Sequence, residues 1–119
     1  MSNTPYLVII PTYNEIENIE RMVQTVMGLP KEIDLLIVDD GSPDGTGAKV
    51  KEMQSDFKDR LHILERTEKN GLGTAYIAGF HWALERQYEF ICEMDCDFSH
   101  NPKYLKDILK IFYHTNLQV

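Results

Sequence analysis

A doubly wound α/β domain, with a mainly parallel sheet and helices on both faces, is the architecture this sequence predicts. Three observations carry the prediction. Four short apolar runs rich in β-branched residues alternate with four segments of helical periodicity. The runs are apolar at consecutive positions, as in Leu7-Val8-Ile9-Ile10, which fits strands covered on both faces. Polar and turn-forming residues gather after the runs rather than before them. Strand-then-helix repetition implies parallel pairing with right-handed crossovers.

Each element has its own warrant. Tyr6 to Ile10 is a first strand closed by Pro11, and Ile16, Ile19, Val23 and Val26 then recur at helical spacing after an Asn14 cap. Ile33 to Val38 is a second strand closed by Asp39-Asp40-Gly41, and Ala48 to Phe57 reads as a helix opened by Thr46. Leu61 to Leu64 is the third strand. Thr74 then opens a helix with Ala75, Ala78, Gly79, Trp82 and Ala83 on one stripe, which assigns Trp82 to the core. Tyr88 to Met94 is the fourth strand. Leu105, Ile108, Leu109 and Phe112 form the last stripe, with Asn101 as cap and Pro102 at the first helical position. A strand order of 3-2-1-4 is expected, which places the reversal, and any ligand, beyond the carboxyl ends of the first and fourth strands. Tyr13 and Asp95 then face each other.

Composition bounds the partners. The chain has 119 residues, 43% hydrophobic and 26% charged, an ordinary balance for a single domain over residues 1–119. A net charge of −7 argues against nucleic acid, which demands clustered Lys and Arg. Neither a secretory signal nor an apolar run of bilayer length is visible, so a cytoplasmic protein is expected. Cys92 and Cys96 would stand roughly 13 Å apart along an extended chain, too far for a disulfide, and are expected as reduced thiols. The four histidines show no zinc spacing.

The strand exits hold the chemistry. Glu93-Met94-Asp95-Cys96-Asp97 sets two carboxylates one residue apart, and an ionised carboxylate is too costly to bury without a partner. Asp95 and Asp97 therefore point either to a cleft where they share Mg2+ or Mn2+ that grips a phosphate, or to a solvated turn capping the next helix. Asp40 reads either as an acceptor for a base or ribose or as part of an Asx-type turn, and Pro43-Asp44-Gly45 reads as turn chemistry. Tyr13 could stack on a base or simply pack. Asn70-Gly71-Leu72-Gly73 lacks the third glycine of a dinucleotide fingerprint and reads as a flexible loop, with Lys69 a candidate phosphate contact. His100 reads as a helix-entry residue.

Taken together, PTYNE, VDDGSPDGT, KNGLGTAY followed by a glycine, and MDCDFSHNP resemble family 2 glycosyltransferases of the GT-A fold, in particular the dolichol-phosphate and polyprenyl-phosphate mannosyltransferases. The resemblance covers essentially the whole chain. It implies sugar transfer, with inversion, from a nucleotide sugar such as GDP-mannose to a polyprenyl phosphate at the cytoplasmic membrane face. It also implies that Pro11, Tyr13, Glu15, Val38 and Asp40 line the nucleoside site, and that Asp95, Cys96, Asp97 and Ser99 hold metal and diphosphate. Cys96 departs from the usual small residue and Ser99 from the Gln of some members. Transfer of glucose from UDP-glucose is the alternative within the resemblance. A receiver-like signalling module would need its acidic pair after the first strand, as would a phosphatase with an aspartate nucleophile. The family's acceptor-binding basic residues lie beyond Asn116-Leu117-Gln118-Val119, so an inactive nucleotide-sugar-binding portion is expected. Its apolar sheet edge beyond the fourth strand would invite self-association.

Overall fold

The computed structural model describes residues 4–29, 32–67, 72–94 and 113–114. Along the chain these form β1 (Tyr6–Thr12), α1 (Ile16–Met27), β2 (Asp34–Asp39), α2 (Thr46–Met53), β3 (Leu61–Glu65), α3 (Leu72–Glu85), β4 (Phe90–Glu93) and β5 (Tyr113–His114). A single 3-10 turn, Gln54–Asp56, follows α2. The sheet order is β3-β2-β1-β4-β5. The first four strands pair in parallel, and β5 adds a short antiparallel strand through Phe90–His114 and Ile91–Tyr113. The expected 3-2-1-4 order is therefore present. Beside β4, however, the edge expected to be open is paired at these two positions. The predicted helix carrying Leu105 to Phe112 lies outside the described residues.

Strand alternation divides the core into two layers. Val8, Ile10, Leu35, Ile37 and Cys92 face α1 and α2, where Ile19, Met22, Val23, Val26, Val50 and Met53 meet them. Leu7, Ile9, Leu36, Val38 and Ile91 face the other way, against Ala75 and Ala83 of α3 and Tyr88. All six residues of β2 are buried, as expected of an inner strand covered on both faces. Trp82 packs at the border of the second layer, stacked on Tyr88 at 6.0 Å with Arg86 over its ring at 4.0 Å. Gly79 is what lets α3 lie close to the sheet, because a Cβ there would stand 2.8 Å from Ile9 Cγ2. Cys92 is a buried free thiol, as predicted for it, and desolvation followed by the neighbouring Glu93 pushes it up to about 11; Cys96 lies outside the described residues.

Pro11 does not end β1, which continues through it to Thr12. The backbone alternation explains how a central strand accepts a proline. Ile9 O accepts the Met94 N–H at 3.0 Å, so the odd-numbered residues here turn their backbone groups toward β4, and Thr12 O accepts the Asp40 N–H at 3.1 Å on the β2 side. The N–H that proline lacks thus belongs on the β4 side, where the described ladder runs to Ile9–Glu93. Pairing between β1 and β2 persists to Thr12–Asp39. The strand order reverses between β1 and β4, so the seam at their carboxyl ends is where a sheet of this kind takes its ligand.

Candidate functional site at the carboxyl ends of the strands

Two loops, β1–α1 and β2–α2, are laced together above this seam. Three successive backbone donors at the start of α1 are taken by side chains of the other loop. Asn14 N–H donates to Ser42 Oγ at 2.9 Å, Glu15 N–H to Thr46 Oγ1 at 3.0 Å, and Ile16 N–H to Asp44 Oδ2 at 3.1 Å. The expected Asn14 cap is not formed. Glu15 is the residue that flanks the helix, and Asn14 adopts a left-handed φ of 56° instead. Asp44 also accepts Thr46 N–H at 3.0 Å and the Thr46 hydroxyl, so one carboxylate caps α1 and α2 together. Desolvation by burial works to raise the Asp44 carboxyl, but the hydrogen bonds from Thr46 and Ile16 outweigh it and hold it below its ordinary value.

Asp39 and Asp40 diverge by the same alternation that splits the core. Asp39, 3% exposed, accepts the Thr12 hydroxyl at 2.7 Å and the Ser42 hydroxyl at 2.6 Å on Oδ1, and the Ser42 N–H at 3.0 Å on Oδ2. Asp40 turns to the α3 side, where Arg66 Nε lies 3.0 Å from its Oδ1. The same guanidinium donates to Thr74 Oγ1 at 2.9 Å, tying the exits of β2 and β3 to the first turn of α3. Gly41 completes the turn with φ of 74°, its Cα within reach of the Arg66 and Thr67 carbonyls, where a Cβ would sit 3.2 to 3.3 Å from both oxygens.

Of the residues expected at a nucleoside site, Pro11, Tyr13, Glu15 and Asp40 come together at this end of the sheet. Tyr13 is 38% exposed. Val38 is fully buried against α3, so its side chain belongs to the floor beneath the loops rather than to their surface. Asp95, Cys96, Asp97, Ser99 and Lys69 lie outside the described residues; Asp95 follows Met94 directly in the chain, and the Met94 N–H donates to Ile9 O of β1. Burial raises the Glu93 carboxyl beside it. Among the described residues no group of three His, Cys, Asp or Glu could hold a metal ion. Arg66, Asp39, Ser42 and Thr46 were not singled out from sequence as site residues. The available signal was a lone cation just after a strand, opposite the acidic exit of its neighbour.

An open parallel sheet with its polar loops gathered where strand order reverses defines the class of α/β domain that takes its ligand at that reversal. The model of glycosyl transferase family 2 matches residues 7–119, and the chain belongs to that family. The polyprenol monophosphomannose synthase of Mycolicibacterium smegmatis is 52% identical over 103 residues, which are 87% of this chain and 39% of that protein. The undecaprenyl-phosphate mannosyltransferase of Micrococcus luteus is 48% identical over 104 residues, 87% of this chain and 42% of its own length. A mannosyltransferase from Pyrobaculum calidifontis, solved in complex with GDP-Man and Mn2+, superposes with a TM-score of 0.71 at 26% identity, over 82% of this chain and 30% of that one. The chain thus spans about two fifths of the length of these two curated relatives. The family resemblance read from the four motifs is borne out. Among the described residues no helix is long and apolar enough to cross a membrane.

Proposed function

We propose that this chain is the nucleotide-sugar-binding portion, over residues 1–119, of an enzyme that transfers mannose from GDP-mannose to a polyprenyl phosphate with inversion, working at the cytoplasmic face of the membrane. One observation carries the reading. The exits of β1, β2 and β3 gather beside the reversal of strand order between β1 and β4, in a chain whose relatives bear the names of polyprenyl-phosphate mannosyltransferases. The structural likeness to a mannosyltransferase solved with GDP-Man and Mn2+ supports the choice of donor and of a divalent cation.

In this reading Tyr13 stacks on the nucleobase, with Pro11 and Glu15 beside it and Val38 beneath. Asp40 accepts a hydrogen bond from the base or ribose. Asp95 and Asp97 offer an oxygen pair suited to Mg2+ or Mn2+, ions that bind through one or two carboxylates plus substrate phosphates, with Cys96 and Ser99 next to the diphosphate. The cation supplies charge neutralisation for the departing diphosphate. The acceptor phosphate is anionic near neutral pH. Its oxygen bonds to the anomeric carbon while the bond from that carbon to the diphosphate breaks, the electron pair leaving with GDP. No proton has to be removed, so no general base is needed among these residues. Without the cation, each carboxylate would repel a phosphate charge by about 4 kcal/mol at 4 Å and an effective dielectric of 20.

Calorimetric titration of GDP, UDP and their mannose and glucose conjugates tests the donor side. GDP-mannose is expected to bind in Mn2+ and to weaken sharply in EDTA or in Asp97→Ala. Tighter binding of UDP-glucose would move the reading to glucosyl transfer, and equal GDP binding with and without metal would remove the cation from it.

A further inference from the structure

Tyr13 is the exposed ring where the strand order reverses, and both of its chain neighbours are fastened to one buried carboxylate. On one side the Thr12 hydroxyl donates to Asp39 Oδ1 at 2.7 Å. On the other the Asn14 N–H donates to Ser42 Oγ at 2.9 Å, and the Ser42 hydroxyl in turn donates to the same Asp39 oxygen at 2.6 Å. The Asp39 carboxylate is taken up by Thr12 and Ser42 and faces α2, away from the α3 side of the sheet that Asp40 faces, and a Cβ added at Gly47 would crowd its Oδ2 at 3.3 Å. The bridge is not needed to pair the sheet, since β1 and β2 are already joined in register up to Thr12–Asp39.

We infer that Asp39 and Ser42 are positioning residues that hold Tyr13 in place for stacking on the nucleobase, acting through Thr12 and Asn14 without touching the nucleotide. This deepens the proposed function and rests on its assignment of Tyr13 to the nucleoside site. The physical advantage is pre-organisation. A ring on a loop fixed at both flanks has less conformational freedom left to lose when a base settles on it, and affinity rises by that difference. Asn14 takes a left-handed φ of 56°, a region Asn tolerates better than most residues, and its N–H is held there by the Ser42 contact. The division of labour between adjacent aspartates follows: Asp40 addresses the ligand and Asp39 addresses the loop that carries Tyr13.

The test is a double-mutant cycle on GDP affinity, measured in Mn2+ with the 119-residue chain. Ser42→Ala is expected to weaken GDP roughly 2- to 10-fold, the range of one neutral hydrogen bond. Tyr13→Ala should weaken it as well, and Ser42→Ala should then add less than 2-fold in the Tyr13→Ala background. Ser42→Thr, which keeps a hydroxyl, should bind within 2-fold of the unsubstituted chain. Thr12→Val removes the anchor on the other flank and must show the same loss of effect when Tyr13 is absent, which keeps the test decisive if Ser42→Ala folds poorly. Losses that multiply, or a Ser42→Ala chain that binds GDP normally, would overturn the inference while leaving the nucleotide site intact. Absence of GDP binding by the unsubstituted chain would instead remove the nucleotide reading, and this inference with it.

Discussion

Strand alternation turns the carboxylate of Asp39 toward α2 and that of Asp40 toward Arg66 and the start of α3, so two adjacent residues of one type meet different partners. Asp40→Ala is expected to lower GDP affinity by about 1–3 kcal/mol, the scale of a hydrogen bond involving a charged group, and also to cost stability, because it leaves the Arg66 guanidinium without its carboxylate. Asp44→Ala should act mainly on stability. Its carboxylate caps α1 and α2 and faces no ligand in the proposed site, so about 1 kcal/mol of stability should be lost in urea unfolding with GDP affinity less affected. Comparable affinity losses at both positions would count against the placement. Asp44 also makes a pH prediction. Its folded value lies below its ordinary 3.8, so its contribution is complete above that pH and disappears as pH falls from 3.8 through the folded value. Asp44→Asn keeps an acceptor but cannot titrate. Its stability should therefore fall less steeply below pH 3.8 than that of the unsubstituted chain, and parallel curves would refute the assignment. The motif residues of the site were legible because ligand chemistry selects their type. Asp39, Ser42 and Arg66 were not, because they act on other residues and a hydroxyl or carboxylate at a strand exit has many ordinary uses.

At the scale of elements, the strands were readable and the helix starts were not, for one physical reason. Runs such as Leu35-Leu36-Ile37-Val38 state their burial locally, so β2 was displaced by only one residue, from 33–38 to Asp34–Asp39. Helix starts depend on who satisfies the first N–H groups, and here the acceptors for Asn14, Glu15 and Ile16 lie 28 to 31 residues away. A search for a local cap chose Asn14 and could not have found Asp44. Likewise α2 begins at Thr46 itself and gives way to a 3-10 turn after Met53, where one continuous helix to Phe57 was expected. Helix α3 offers a paired test of packing against propensity. Replacing Gly by Ala in a helix gains about 1 kcal/mol where space allows. Among the described residues nothing lies within 4 Å of a Cβ at Gly73, so Gly73→Ala should stabilise by up to that amount. At Gly79 the new methyl would meet Ile9 Cγ2 at 2.8 Å and Ile9 Cδ1 at 3.2 Å, and such overpacking typically costs 1–3 kcal/mol. Gly79→Ala should therefore destabilise despite the better helix former. Urea midpoints of the two variants moving in the same direction would show that α3 does not rest on the sheet as closely as this.

Across the whole molecule the two ends of the sheet divide their tasks, and the division can be measured. The carboxyl ends carry Tyr13 and Asp40, while the amino ends carry a second acidic cluster in which Asp34, with no exposed surface, accepts the Tyr88 hydroxyl and lies 3.6 Å from His62 Nε2. Burial, and then the Asp34 carboxylate, push the Tyr88 hydroxyl well above its ordinary value, so it remains a donor throughout the accessible pH range. β2 itself separates the clusters, running from Asp34 to Asp39. At about 3.3 Å per residue that is roughly 17 Å, twice the Debye length of about 8 Å at physiological salt and beyond the separation at which substitutions usually couple. Tyr88→Phe keeps the ring stacked on Trp82 and removes only the donor to a buried carboxylate. Leaving such a group short of a hydrogen bond costs about 1–3 kcal/mol, so the urea midpoint should fall. GDP affinity in Mn2+, measured well below that midpoint, should stay within 2-fold of the unsubstituted chain. Asp40→Ala, by contrast, should weaken GDP even when binding is measured well below its own midpoint. If Tyr88→Phe weakened GDP as much as it weakened the fold, the sheet would be transmitting strain along β2, and the two ends would have to be treated as one site.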